Sequence, residues 1–385
     1  MLLPYGRQTI EDDDIAAVAE ALRDDFLTTG PRVESFEQAF AQKVGVRHAV
    51  ACANGTAALH LTMLALDIQP GEVCIVPSIT FLATANCARY VGAEVVFADV
   101  DPSTGLMTPE TLADALPRVG DRKLRAVLPV HLRGDVAELP ALRALAEHQG
   151  AVLVEDAPHA LGTLARFGNQ TEMVGSGHHS AMATFSFHPV KTIATGEGGM
   201  VTTNDAGLAA RLRRFRSHGM VRPPEADPWW YEMPEVGFNY RLPDILCALG
   251  QSQLAKLDRF AATRRALAAR YRQKLTPLAP LVRPATQPAW SDPVLHLMVV
   301  LIDFAAAGIT RRQVVDRFRA RDVGTQVHYI PVHTQPYYRA RYGEIDLPGA
   351  QSWYDHCLSL PLYPGMNQAD VDRVVDRLGE ILGCG

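Results

Sequence analysis

The stretch AMATFSFHPVKTIATGEGGMVTTN, residues 181–204, holds two short apolar runs separated by a lysine and a glycine-rich turn. AMATFSF (181–187) and GGMVTTN (198–204) are β-rich and do not alternate polar with apolar, the pattern of strands covered on both faces. Working outward toward the N-terminus, the same kind of run recurs as GAVLVEDA (150–157), LRAVLPVHL (124–132), AEVVFADV (93–100), EVCIVP (72–77) and HAVACA (48–53). Helical patterns lie between them, as from Thr56 to Leu66 and in TFLATANCARYV (80–91). Strands alternating with helices imply βαβ units and a parallel or mixed central sheet flanked by helices, an α/β fold.

The flanks read differently. Ile15, Val18, Ala19 and Leu22 repeat at helical spacing and predict an amphipathic N-terminal helix. Leu242 to Tyr271 reads as one long helix with a proline near its start, where proline is tolerated. LTPLAPLVRPATQPAW (275–290) is proline-rich and reads as a connection. Beyond it, a strand-like LHLMVVLI (295–302), a helix from Arg311 to Arg321 and a closing helix around Val371–Leu382 predict a smaller α+β domain. The expected division is a large domain over 1–270 and a small C-terminal one over 271–385.

The chain has 385 residues, 48% hydrophobic and 21% charged, which excludes intrinsic disorder. A formal net charge of −5 argues against a nucleic-acid partner while leaving a locally basic site for an anion open. No run is long and apolar enough to predict a membrane span, and the N-terminus lacks the features of a secretory leader. The cysteines, at 52, 74, 87, 247, 357 and 384, form no C-x-x-C pair and fit no zinc motif, so no metal is expected. Reduced, mostly buried thiols in a cytoplasmic chain are the simplest reading.

Three elements carry candidate chemistry. Lys191 stands just past a buried strand, where desolvation would lower its pKa and make it a nucleophile for carbonyls; it reads also as a solvent-facing loop lysine. Asp156 stands at the C-terminal end of a strand, where open α/β sheets bind ligands, and a carboxylate there could keep a pyridinium nitrogen protonated. It reads equally as a helix N-cap. In ANGTAALHL (53–61), a helix start at Gly55 and Thr56 offers backbone amides to a phosphate, with Ser186 adding a hydroxyl; Gly-Thr also serves as an ordinary cap. Phe81 could stack on a flat ring or sit in the core.

The order of these elements resembles fold-type I pyridoxal phosphate enzymes, and more narrowly the DegT/DnrJ-type nucleotide-sugar aminotransferases. The resemblance runs through YGRQTIEDDDI, FLTTGPRVESFE, NGTAALHL, TFLATAN, EDAPHALG, SFHPVKTIATGEGG, RSHGM, GFNYRLPDILCALGQSQL, QVHYIPVH and LSLPLYP. SFHPVK, GFNYRLPD and QVHYIPVH are most similar to the branch that aminates C4 in pseudaminic acid biosynthesis. The resemblance implies pyridoxal 5′-phosphate as cofactor, with Lys191 matching the Schiff-base lysine and Asp156 the partner of the pyridine nitrogen. Phe81 matches the stacking aromatic, and His159 a polar position near the ring. Gly55, Thr56 and Ser186 match phosphate binders. Asn239 matches an asparagine that reaches the phosphate from the neighbouring subunit of a homodimer; it reads otherwise as an intrachain turn. Tyr5, the segment Asp25, Phe26, Leu27, Thr28 and the segment Val327, His328, Tyr329, Ile330 match regions contacting the nucleotide-sugar, to which Gly55, Ser186 and Asn239 also contribute. These two segments and Tyr5 are expected to converge over the cofactor.

The implied reaction transfers an amino group from L-glutamate to a UDP-4-keto-6-deoxy-N-acetyl sugar. The alternatives are another UDP- or dTDP-linked keto sugar, or a cofactor-binding regulatory protein without turnover. The presence of Lys191 disfavours the family's dehydratase branch, which carries histidine there. Pro158, Thr192 and Arg133 depart from the commoner family choices, and they are expected to bear on sugar specificity.

Overall fold

The computed structural model describes residues 2–384. Its strands are β1 (His48–Cys52), β2 (Val73–Pro77), β3 (Glu94–Ala98), β4 (Leu124–Val127), β5 (Val152–Asp156), β6 (Leu164–Phe167), β7 (Gln170–Met173), β8 (Met182–Ser186), β9 (Gly199–Thr203), β10 (Val282–Pro284), β11 (Ser291–Asp292), β12 (Met298–Ile302) and β13 (Cys357–Leu360). Seven form one sheet in the order β1-β9-β8-β5-β4-β2-β3. β8, β5, β4, β2 and β3 pair in parallel, and β9 pairs antiparallel with both β8 and β1. Only β9 is therefore reversed, and β1, β5 and β8 all end at the same edge. The sheet is mixed and mostly parallel, as its uninterrupted apolar runs predict, and β2 and β9 are buried at every residue.

Helices cover both faces. On one, Phe36 and Phe40 of the helix Pro31–Val44 pack on Phe185 and Phe187. On the other, Leu59 and Met63 of the helix Gly55–Ala65 join Cys74, Val76 and Phe97. β10, β12 and β13 form a second sheet, whose apolar face is closed by Leu267, Tyr271 and the C-terminal helix Gln368–Leu382. β10 is drawn from the proline-rich stretch itself. β6, β7 and β11 make a small third sheet.

Three sequence expectations are corrected. The predicted long helix from Leu242 is two, Asp244–Ala255 and Leu257–Leu275. At the break, the Lys256 N–H reaches back only three residues, to the Gln253 carbonyl, and the ammonium is held by Asp13 (2.5 Å) and Asp14 (2.7 Å). The N-terminal helix, Asp12–Ala21, turns its apolar stripe outward: Ile15 is 60% and Leu22 56% exposed, while Asp14 is buried. Hydrogen bonds from Ser252 and Gln253, together with Lys256, compensate the buried carboxylate, so polar pairing outweighs the apolar spacing here. Finally, β4 ends at Val127, and His131–Gly134 leaves the sheet through a turn in which Arg133 adopts φ 66°.

Candidate active site

The common edge of β1, β5 and β8 opens into a cavity of about 670 Å³. After β1, Asn54 caps the helix Gly55–Ala65 by accepting the Ala57 N–H (2.8 Å), which leaves Gly55 and Thr56 on the cavity wall. β8 ends at Ser186, against which Gly55 packs so closely that a Cβ on the glycine would lie 2.8 Å from the serine Cβ. Only a glycine lets the helix start approach the strand end to this degree.

Asp156 closes β5 at the cavity floor, and no helix follows it, which removes the helix-cap reading. Its Oδ2 accepts a hydrogen bond from Thr84, itself bonded to Thr80 (2.6 Å). Its Oδ1 is buried with no partner among the described residues. Burial raises the carboxyl pKa, against the opposing pull of Thr84 and the Lys191 charge. Lys191 lies in the turn after β8 and lines the cavity rather than facing open solvent. Burial lowers its amine to about 8, which the Asp156 charge only partly offsets.

The rings of the cavity come from three parts of the chain. Phe81, at the start of the helix Leu82–Tyr90, is 58% exposed, so the core reading fails. It stands 6.2 Å from the Tyr329 ring, which lies almost parallel to His159 at 6.2 Å. Tyr5 packs on His328 at 5.5 Å. Burial and the nearby Lys191 hold His328 down to about 3 and His159 well below the ordinary range, so both rings are neutral.

The structure thus brings Tyr5, Gly55, Thr56, Phe81, Asp156, His159, Ser186, Lys191 and Val327–Ile330 together. It does not bring Asp25, Phe26, Leu27, Thr28 or Asn239 to the cavity of the same chain; all five are exposed. The expected convergence over one site therefore holds within the chain for Tyr5 and Val327–Ile330 and not for Asp25–Thr28. Arg133, expected to bear on sugar specificity, does not line the cavity: it is buried, paired with Asp135 and bonded to the Thr286 carbonyl (2.8 Å). The sequence reading missed Thr84 and His296. Thr84 is signalled by its place one turn after Phe81; His296 has no sequence signal, and its ring packs tilted against His159 at 4.5 Å.

A mostly parallel sheet with a desolvated lysine, an unpartnered carboxylate oxygen and a glycine-lined helix start at one edge defines a fold-type I aminotransferase architecture. The chain belongs to the DegT/DnrJ/EryC1/StrS aminotransferase family, whose model matches residues 8–379. Among solved structures it resembles Helicobacter pylori PseC, an aminotransferase involved in the biosynthesis of pseudoaminic acid, at 27% identity and a TM-score of 0.91 over 100% of both chains. It resembles DesI, solved in the presence of its TDP-sugar product, at 34% identity and a TM-score of 0.87, over 100% of this chain and 94% of that one. S. venezuelae DesV, solved in complex with a ketimine intermediate, is 33% identical with a TM-score of 0.85, over 98% of this chain and 99% of that one.

Aminotransferases of this family depend on pyridoxal phosphate. The residues present fit that cofactor. The orphaned Asp156 Oδ1 lacks the N–H donor that a protonated ring nitrogen carries, and the Gly55–Ser186 cradle would be filled by any side chain at 55.

Proposed function

We propose that the protein transfers the amino group of L-glutamate to the C4 ketone of a UDP-4-keto-6-deoxy-N-acetyl sugar, UDP-2-acetamido-2,6-dideoxy-β-L-arabino-4-hexulose. The observation that carries this reading is the meeting of Asp156 and Lys191 at the floor of one cavity with Tyr5 and Val327–Ile330 at its wall. Similarity to PseC over the whole length supports the choice of sugar.

When bound, pyridoxal phosphate supplies an aldehyde to hold the travelling nitrogen and a ring that accepts electron density. Lys191 is the residue that would hold the cofactor and carry the proton at the reacting carbon; an amine lowered to about 8 is suited to both. Asp156 keeps the ring nitrogen protonated. Gly55, Thr56 and Ser186 would take the phosphate at the helix N-terminus, Phe81 would stack on the ring and His159 would lie near it. Asn239 of a second copy completes the phosphate site in a homodimer, and Tyr5 and Val327–Ile330 contact the nucleotide-sugar.

A second reading, the same chemistry on a TDP-linked keto sugar, is favoured by the 34% identity to DesI. The test is a panel of UDP- and dTDP-linked 4-keto sugars assayed with L-glutamate. Turnover confined to the UDP-N-acetyl sugar supports the proposal. Turnover confined to a dTDP sugar moves the assignment to the second reading, and a failure of every sugar with L-glutamate refutes both.

A further inference from the structure

The turn that follows β4 holds one residue in an unusual conformation. Arg133 is held at φ 66° and ψ −12°, in the left-handed region. Its side chain is locked by Asp135 and the Thr286 carbonyl, and its own carbonyl accepts the His296 N–H (2.7 Å). So fixed, its main-chain N–H points at His159 Nδ1, 3.4 Å away. The other ring nitrogen, Nε2, lies 3.2 Å from the Tyr329 hydroxyl oxygen. A neutral imidazole carries one hydrogen, and with Nδ1 accepting, that hydrogen sits on Nε2. His159 therefore donates to Tyr329. Among the described residues Tyr329 has no other hydrogen-bond partner, so its own hydrogen is left for the cavity it lines.

We propose that Tyr329 is a catalytic residue that donates a hydrogen bond to the carbonyl oxygen exchanged for nitrogen, and that Arg133, through His159, is the device that aims it. The inference rests on the aminotransferase reading above and adds to it the group that polarises the ketone. A ketone that accepts this bond has a more electrophilic carbon and better-stabilised negative charge on oxygen as nitrogen adds. Burial keeps the phenol protonated by raising its pKa, so it remains a donor through the neutral range. Toward the ketone, His159 acts through Tyr329 and is there a positioning residue.

The test uses the cofactor-loaded protein with Tyr329→Phe, which keeps the ring. Single-turnover conversion of the keto sugar should slow about 100-fold, the usual consequence of removing one such donor. The melting temperature and far-UV circular dichroism of the variant should match wild type, because the ring that packs in the cavity is kept. A conversion rate within twofold of wild type overturns the proposal, as does a slower rate accompanied by a matching loss of thermal stability, which would mark a general structural defect. A second readout needs no turnover. In the ¹⁵N-histidine spectrum of the cofactor-free protein, the resonance lost in His159→Gln should be that of a neutral ring with hydrogen on Nε2; an Nδ1–H tautomer or an imidazolium overturns the relay. If wild type accepts no keto sugar, the substrate reading fails. Tyr329→Phe is then judged by the same twofold and 100-fold criteria on the glutamate half-reaction, which exchanges a carbonyl oxygen at the same place.

Discussion

Gly55 and Ser186 touch so closely that a Cβ on the glycine would meet the serine Cβ at 2.8 Å, although 131 positions separate them in the chain, the difference between 186 and 55. The contact joins the start of one helix to the end of β8, and neither atom involved is the far end of a flexible side chain. Gly55→Ala must push the two apart. The cofactor-free protein should keep its melting temperature within a few degrees, while affinity for pyridoxal phosphate falls at least about tenfold, roughly the 1.4 kcal/mol of one lost charge-assisted hydrogen bond. Titration followed by cofactor absorbance measures it, and unchanged affinity would remove Gly55 from the phosphate site.

Lys191→Ala should leave the far-UV circular dichroism unchanged and lower turnover by at least about 10³-fold, since covalent holding and proton transfer are lost together. In the cofactor-free wild type, the amine should react with an acylating reagent along a pH profile centred near 8. Asp156→Asn should shift that midpoint downward, because the carboxylate charge is what partly restores the amine's affinity for protons. A midpoint near the ordinary lysine value would place Lys191 in solvent.

Asp156→Asn has a second consequence, in stability. The folded carboxyl titrates above its unfolded value because it is buried. Between those two values the unfolded chain gives up its proton first, so ionisation costs the folded state stability as pH rises through them. The cofactor-free Asp156→Asn variant should therefore melt higher than wild type at pH 7–8, and the difference should vanish below about pH 4, the unfolded carboxylate range. The same variant loaded with cofactor should be slower than wild type. Lower stability at pH 7–8 would mean that the carboxylate is a structural anchor.

Much of this was legible in the sequence because the signals are local. Uninterrupted apolar runs mark a sheet covered on both faces, and a carboxylate or lysine just past such a run falls at its ligand-binding edge. The helix-cap reading of Asp156 was open in sequence and closed in structure, since the chain after Ala157 turns into the β6–β7 hairpin. What the sequence hid is set by contacts between distant segments. Ile15 and Leu22 point outward because Asp14 faces Ser252, Gln253 and Lys256. Arg133, expected to bear on sugar specificity, pairs its charge with Asp135 and directs its main-chain N–H at His159. The position of Asn239 outside its own cavity follows from pairing with Ser217, 22 residues earlier by the difference of 239 and 217, and from no local pattern.

That position leads to the last prediction. Asn239 is exposed, yet its neighbours tie it to the segment around the helix Gly55–Ala65 of its own chain. The Tyr240 carbonyl accepts the Ala53 N–H (2.8 Å), its hydroxyl meets His60 Nδ1 (3.2 Å), and its ring stacks on Phe238 at 5.0 Å. The segment is thus held firmly while its asparagine is exposed, and Trp229, Trp230, Tyr231, Met233 and Val236, shortly before it in the chain, are exposed as well. Exposed apolar residues in such number mark a surface that a partner covers. If that partner is a second copy, each cavity takes Lys191 from one chain and Asn239 from the other. Lys191→Ala and Asn239→Asp should each be inactive alone, the second through a negative charge set against the phosphate. In a mixed dimer one site carries both defects and the other carries neither. Random exchange of equal amounts should restore about a quarter of wild-type activity, because half the dimers are mixed and one of their two sites is intact. Mixing that restores nothing, with heterodimers verified by native mass spectrometry, would return Asn239 to its own chain.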